Sequence, residues 1–126
     1  ETLSSEYPQI HLHQNVSDMA ALMKQCDFAI SAAGTTLYEL CALGIPTISF
    51  TMADNQIIMA KTFAETGAVP YAGDIRSNPS SVLNIVKEHL TSSMQNADNY
   101  NHQHLLMRQV TNGNGTILIA QKLCEL

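Results

Sequence analysis

The chain has 126 residues, the length of one ordinary domain, and 45% of them are apolar, enough for a self-sufficient core. Only 13% are charged, about half the usual share of roughly 25%. Six Lys plus Arg against eleven Asp plus Glu leave a net charge of −5, which argues against nucleic acid or an anionic membrane as a partner.

In chain order, Ile10-His11-Leu12 reads as a short strand with His11 and His13 on one face. Ser17 can cap a helix over 17–24, where Met19, Leu22 and Met23 recur at helical spacing. Phe28 to Ala32 is a short, nearly all-apolar run of the kind found in central parallel strands. A turn at Gly34 leads into a helix with Leu37, Leu40 and Cys41 on one face, stopped by Gly44, and Pro46 to Phe50 is the next buried strand. Asp54 can cap a helix reaching about Thr66, Ala68 to Tyr71 is a brief strand, and Gly73-Asp74 turns the chain. Asn78-Pro79 starts a helix with Val82, Leu83, Val86 and Leu90 as its apolar face. Residues 94–110 read as a further helix. In the tail, Asn112-Gly113 permits a hairpin, but a closing helix from Gly115 with Ile117, Ala120, Leu123 and Cys124 inward fits the spacing better. Strands alternating with helices predict an α/β fold: a Rossmann-like, three-layer domain with a mostly parallel sheet.

No apolar run approaches the roughly 20 residues of a membrane span, and no basic start precedes an apolar leader segment. Cys26, Cys41 and Cys124 are odd in number and far apart, without a C-x-x-C. A cytoplasmic protein with reduced, mostly buried thiols and no membrane insertion is therefore expected.

The segment Ile30 to Leu40 carries the sharpest chemical signal. A strand ends in small residues and Gly34, and a helix begins at once. Ligands of open α/β sheets bind beyond the carboxyl ends of the strands, where the N–H groups of Thr35, Thr36 and Leu37 would face an anion. No Lys or Arg lies between Lys24 and Lys61, so any phosphate here must be held by backbone amides. The same residues also spell a capping box, Thr36-x-x-Glu39, which is structural rather than functional. Ala53-Asp54-Asn55-Gln56 follows the next strand and offers either polar groups for a sugar or a helix cap with solvated amides.

Other signals are weaker. His11 and His13 lack a third ligand at metal-site spacing, so no metal is expected. His102-x-His104 lies in a polar, solvated stretch. Gly113-x-Gly115 lacks the remaining features of a dinucleotide fingerprint, and no other cofactor motif is present.

Across 16–56, the run Val16-Ser17-Asp18-Met19, Cys26-Asp27-Phe28-Ala29-Ile30, Ala33-Gly34-Thr35-Thr36-Leu37-Tyr38-Glu39-Leu40, Ala42-Leu43-Gly44-Ile45-Pro46 and Asp54-Asn55-Gln56 resembles the C-terminal half of GT-B-type nucleotide-sugar enzymes. A weaker match continues through Glu65-Thr66-Gly67-Ala68 to the tail. Two families share this plan. One is the UDP-2,4-diacetamido-2,4,6-trideoxy-β-L-altropyranose hydrolase family of pseudaminic-acid biosynthesis, with its polysaccharide and spore-coat relatives. The other is the UDP-N-acetylglucosamine transferase family that makes lipid II. The spacing from Gly34 to Glu39 and the Asn55-Gln56 pair are more similar to the hydrolases.

This resemblance implies a single nucleotide-sugar-binding domain over 1–126, a fragment lacking the N-terminal GT-B half and inactive alone. It implies uracil contacts at Asn15, Val16 and Met19, diphosphate binding at Gly34, Thr35 and Thr36, and ribose binding at Glu39. Asn55 and Gln56 would bind the sugar, with Asn55 also catalytic. No metal or other cofactor is implied. The partners would be a UDP-sugar or UDP and the N-terminal half, which supplies a histidine base. The alternatives are the donor half of a transferase and a non-catalytic nucleotide-binding module.

Overall fold

The computed structural model describes residues 5–125. The elements follow in the order α1 (Met19–Met23), β1 (Ala29–Ala32), α2 (Thr36–Leu43), β2 (Thr47–Thr51), a 3-10 turn (Asp54–Gln56), α3 (Ile57–Glu65), β3 (Tyr71–Asp74), α4 (Pro79–Gln95), α5 (Ala97–Val110) and α6 (Gly115–Cys124). The three strands form one parallel sheet in the order β1-β2-β3. Ala29 pairs with Thr47 and Ala32 with Phe50, so β1 and β2 run level and end together. This is the α/β, Rossmann-like arrangement that the alternation of elements predicts.

Side-chain alternation along β2 divides the interior into two layers. Ile48 points toward α4 and packs with Ala72, Val82 and Val86, flanked by Phe28, Phe50 and Ile75. On the other side Leu37, Leu40 and Cys41 of α2 meet Ala60 and Phe63 of α3 and Met107 of α5. Thr47, Ser49 and Thr51 are also fully buried, and each hydroxyl is satisfied. Thr47 donates to the Ile45 carbonyl at 2.7 Å, Ser49 donates to the Pro70 carbonyl at 3.2 Å, and the Thr51 and Tyr71 hydroxyls share a bond of 2.8 Å. Without those partners each buried hydroxyl would cost about 1–3 kcal/mol.

At the amino end of the sheet α5 acts as a fastening. Gln103, 6% exposed, donates from Nε2 to the carbonyls of Thr47 at 2.7 Å and Ala68 at 3.0 Å, while its Oε1 meets His89 Nε2 at 3.2 Å. One amide thus satisfies two buried carbonyls, one at the start of β2 and one just ahead of β3. His104 Nδ1 bonds the Gly44 carbonyl and Arg108 the Ala42 carbonyl, placing polar and cationic groups at the negative end of the α2 dipole. Gly44 must be glycine on two counts: φ is +71°, and a Cβ there would lie 2.7 Å from the His104 ring.

Several expectations need correction. Residues 10–12 form no strand: no neighbouring strand among the described residues pairs with them, and the Ile10 amide instead closes a turn onto the Tyr7 carbonyl. β1 is an edge strand among the described residues, with Ile30 53% exposed. Asp18 rather than Ser17 caps α1, its Oδ1 accepting from the Ala21 amide at 2.9 Å. β3 begins at Tyr71, so Gly73-Asp74 lies within it and the turn comes later. Asn78 does cap α4, accepting from the Ser81 amide, but Leu83 faces solvent. The tail is helical as α6, yet Ile117, Leu118, Ile119 and Leu123 are all exposed, so the inward face expected of it is not buried. Cys41 is buried while Cys26 and Cys124 are exposed, against the expectation of mostly buried thiols. His104 is half-buried rather than solvated. Among the described residues no helix is long and apolar enough to cross a membrane, and no three His, Cys, Asp or Glu are grouped to hold a metal ion.

Candidate functional site

β1 and β2 end level with one another, and the Ala33 amide bonds the Phe50 carbonyl at 2.9 Å just beyond the ladder. The loops that follow, Gly34 to Thr36 and Met52 to Gln56, therefore leave the same carboxyl edge side by side. This is the edge where open parallel sheets bind ligands.

α2 begins abruptly there. Thr35 already has helical angles, φ −59° and ψ −24°, and its side chain makes no capping bond. A capping side chain needs an extended backbone, so neither Thr35 nor Thr36, itself the first helical residue, closes the box with Glu39. Of the three amides expected to face an anion, Leu37 is occupied, donating to the Gly34 carbonyl at 3.0 Å. The Thr35 and Thr36 amides have no acceptor among the described residues, and the exposed Glu39 carboxylate has no partner there either.

Gly34 explains itself differently from Gly44. Its φ is not positive, and a Cβ built on it would meet nothing within 4 Å. Neither conformation nor packing requires glycine here. What its small size provides is open space in front of two unpaired amides at a helix N-terminus.

Met19 and Thr36 line one apolar groove with Leu22, Ile30 and Leu40, which brings α1 next to the start of α2. Asn15 is left-handed at φ +52° and Val16 is half-buried; neither lines that groove. On the opposite flank of α2, Tyr38 stands edge-on to Phe63 with ring centroids 5.0 Å apart. Tyr38 and Asn55 share a second groove with Ile58, Met59 and Thr62. The Asn55 side chain has no hydrogen bond among the described residues. Gln56 is engaged, its Oε1 accepting from the Met52 amide at 2.9 Å, which leaves its NH2 to donate.

Asp54 does not cap α3. Its carboxylate turns to Arg76, Oδ1 accepting from Nη2 at 2.6 Å. Arg76 also grips Asp74, whose carboxyl it holds below the usual carboxylate range. The fold thus brings a cation to this edge that the gap between Lys24 and Lys61 conceals, although two carboxylates already surround it. The Asp74-x-Arg76 spacing after a strand was the only sequence signal for it.

A concavity of about 640 Å³ lies elsewhere, between α4 and α5, lined by polar residues including Asn84, Glu88, Ser92 and Asn99. α4 starts at the carboxyl edge and runs back along the sheet, so this hollow lies toward the opposite end from the strand-end loops.

Residues 1–117 match the family described as glycosyltransferase family 28 C-terminal domain. Among curated proteins, the chain is 44% identical over 61 residues to spore coat polysaccharide biosynthesis protein SpsG of Bacillus subtilis, covering 48% of this chain and 18% of that protein. It is 47% identical over 53 residues to the pseudaminic acid cytidylyltransferase and UDP-2,4-diacetamido-2,4,6-trideoxy-beta-L-altropyranose hydrolase of Helicobacter pylori, covering 42% of this chain and 10% of that protein. It is 39% identical over 64 residues to the UDP-N-acetylglucosamine--N-acetylmuramyl-(pentapeptide) pyrophosphoryl-undecaprenol N-acetylglucosamine transferase of an Exiguobacterium species, covering 47% and 18%. The chain thus spans less than a fifth of the length of each of these relatives. No solved structure matches significantly.

Proposed function

The chain belongs to the glycosyltransferase family 28 C-terminal domain family, and on that premise we propose that it is the UDP-sugar-binding domain of a nucleotide-sugar hydrolase. The hydrolase would release UDP from an amino-deoxy sugar in surface-polysaccharide or nonulosonic-acid biosynthesis, without a metal, as the resemblance implies. The observation that supports this best is the uncapped start of α2, with Thr35 and Thr36 amides open behind Gly34. In this role they hold the diphosphate, Glu39 takes the ribose hydroxyls, and Met19 with the backbone of Asn15 and Val16 meets the uracil. Asn55 and the NH2 of Gln56 reach the sugar.

Departure of UDP from the anomeric carbon builds negative charge on the diphosphate. Fixed amides and a helix dipole aimed at that charge stabilise the leaving group with little reorganisation. Attack by water also needs a proton acceptor. Asn55 is a neutral amide and can orient water or sugar but not take the proton. As the resemblance implies, that base would come from the N-terminal half of the enzyme, and in this reading the chain alone binds without turnover. The free thiols of Cys26 and Cys124, both exposed, suit a reducing cytoplasm.

A transferase reading stands beside the hydrolase one because the family description and the Exiguobacterium relative are of that class. An assay of a full-length enzyme carrying this domain separates them. Free sugar released from UDP-sugar without an acceptor supports the hydrolase, and strict acceptor dependence supports the transferase. UDP binding with no turnover of either kind would leave a binding module. For the site itself, calorimetry of UDP with Glu39→Ala is the test. Loss of one ribose contact should weaken binding about tenfold, near 1.4 kcal/mol. Unchanged affinity in a folded variant would remove Glu39 from the ribose.

A further inference from the structure

Two turns leave the carboxyl edge of the sheet beside one another, and one guanidinium joins them. The β2–β3 ladder ends with Thr51 opposite Asp74 and the Ile75 amide on the Thr51 carbonyl at 2.9 Å. Beyond that point, among the described residues, no backbone bond ties Met52–Gln56 to the β3 side. Arg76 is first fixed within its own turn. Its amide bonds Asp74 Oδ1 at 2.9 Å, its Nε bonds the same oxygen at 3.0 Å, and its Nη2 bonds Oδ2 at 2.6 Å. From that anchored position Nη2 reaches across to Asp54 Oδ1 at 2.6 Å.

The turn it reaches is otherwise held by the Gln56 amide on the Ala53 carbonyl, by Gln56 Oε1 accepting from the Met52 amide, and by the Ile57 amide on the Asp54 carbonyl where α3 begins. Asn55 therefore stands between a clamped Asp54 and a self-tied Gln56, with its own side chain left to the groove beside Tyr38. Exposed ion pairs of this kind add little to stability, so global folding does not account for the arrangement. What a planar fork anchored on one carboxylate can do is set the position of the second, which a lysine ammonium on a flexible stem would not do as well.

We propose that Arg76 is a positioning residue for sugar recognition: it clamps Asp54 to the end of β3 and so fixes the turn that presents Asn55 and Gln56. This inference rests on the assignment of Asn55 and Gln56 to the sugar. It predicts that Arg76 separates affinity for a UDP-sugar from affinity for UDP.

The test is calorimetry of UDP and of UDP-N-acetylglucosamine with the wild-type chain, Arg76→Gln, Asp54→Asn and the double variant, together with amide hydrogen exchange of each without ligand. Asp54→Asn is the milder change and guards against a folding defect at Arg76. Each variant should bind UDP as wild type does. UDP-N-acetylglucosamine should weaken by roughly three- to tenfold, short of the about hundredfold that a misplaced catalytic group can cost. The double variant should be no worse than either single one, because both remove the same clamp. Exchange at residues 53–56 should quicken in every variant. Equal losses for UDP and the UDP-sugar would overturn the proposal, since Arg76 would then serve the diphosphate or the fold. Unchanged exchange at 53–56 would overturn it whatever the ligands do. A wild-type chain that binds neither nucleotide would instead retire the UDP assignment, and the exchange result would then decide the clamp alone.

Discussion

Gly34→Ala separates what the site needs from what the fold needs. In the unliganded chain the added methyl meets no atom within 4 Å, and the backbone there is not left-handed. Substituting alanine for glycine at such a position reduces the freedom of the unfolded chain and stabilises by about 0.4–1 kcal/mol. For a domain of this size that corresponds to a rise in Tm of roughly 2–4 °C. The methyl would, however, occupy the space through which a phosphate approaches the Thr35 and Thr36 amides. Loss of one charge-assisted hydrogen bond costs about 1.5–3 kcal/mol, or roughly ten- to hundredfold in affinity. Thermal denaturation and UDP calorimetry on the same preparation measure both quantities. The expected result is a more stable protein that binds UDP more weakly. Higher Tm with unchanged affinity would refute the idea that Gly34 keeps a path open. A lower Tm would show that glycine serves the fold after all.

Two further outcomes concern the fold. Gln103→Leu strips the buried Thr47 and Ala68 carbonyls of their donor and the His89 imidazole of its partner, so urea denaturation should show a loss of about 2–4 kcal/mol. Burial pushes the Cys41 thiol up to about 11, against an ordinary value of 9.0. The unfolded chain then gives up that proton first. The stability linked to Cys41 is therefore complete below about pH 9 and is lost as pH rises toward 11. A thiol reagent at neutral pH should accordingly label Cys26 and Cys124 in the native chain and Cys41 only after unfolding.

Much of this arrangement is legible in the sequence because it depends on local chemistry. The cap at Asn78 with Pro79 at the first helical position, the stop at Gly44 and the apolar strand runs are decided within a few residues, and the structure has them. The alternation of elements was enough for the sheet's parallel order. What the sequence hides depends on distant partners. Ile10-His11-Leu12 has strand-like alternation but no strand to join. Asp54 looks like a helix cap until Arg76, 22 residues on, takes its carboxylate. Gln103 sits in a stretch so polar that nothing marks it as core, yet it reaches carbonyls 35 and 56 residues away. At the candidate site the ambiguity between capping box and ligand loop was real, since Thr36-x-x-Glu39 fits both. The backbone angles of Thr35 removed the capping box.

The fastening of α5 divides labour between the two ends of the sheet. Gln103, His104 and Arg108 seal the amino edge and the end of α2, while the carboxyl edge keeps amides and a carboxylate that have no partner among the described residues. Substitutions at the two ends share no partners, so their effects should add. If the two strand-end loops hold the ligand as proposed, a chain built this way could change what it binds by rewriting them without renegotiating its core, and could be strengthened from the far end without being made blind.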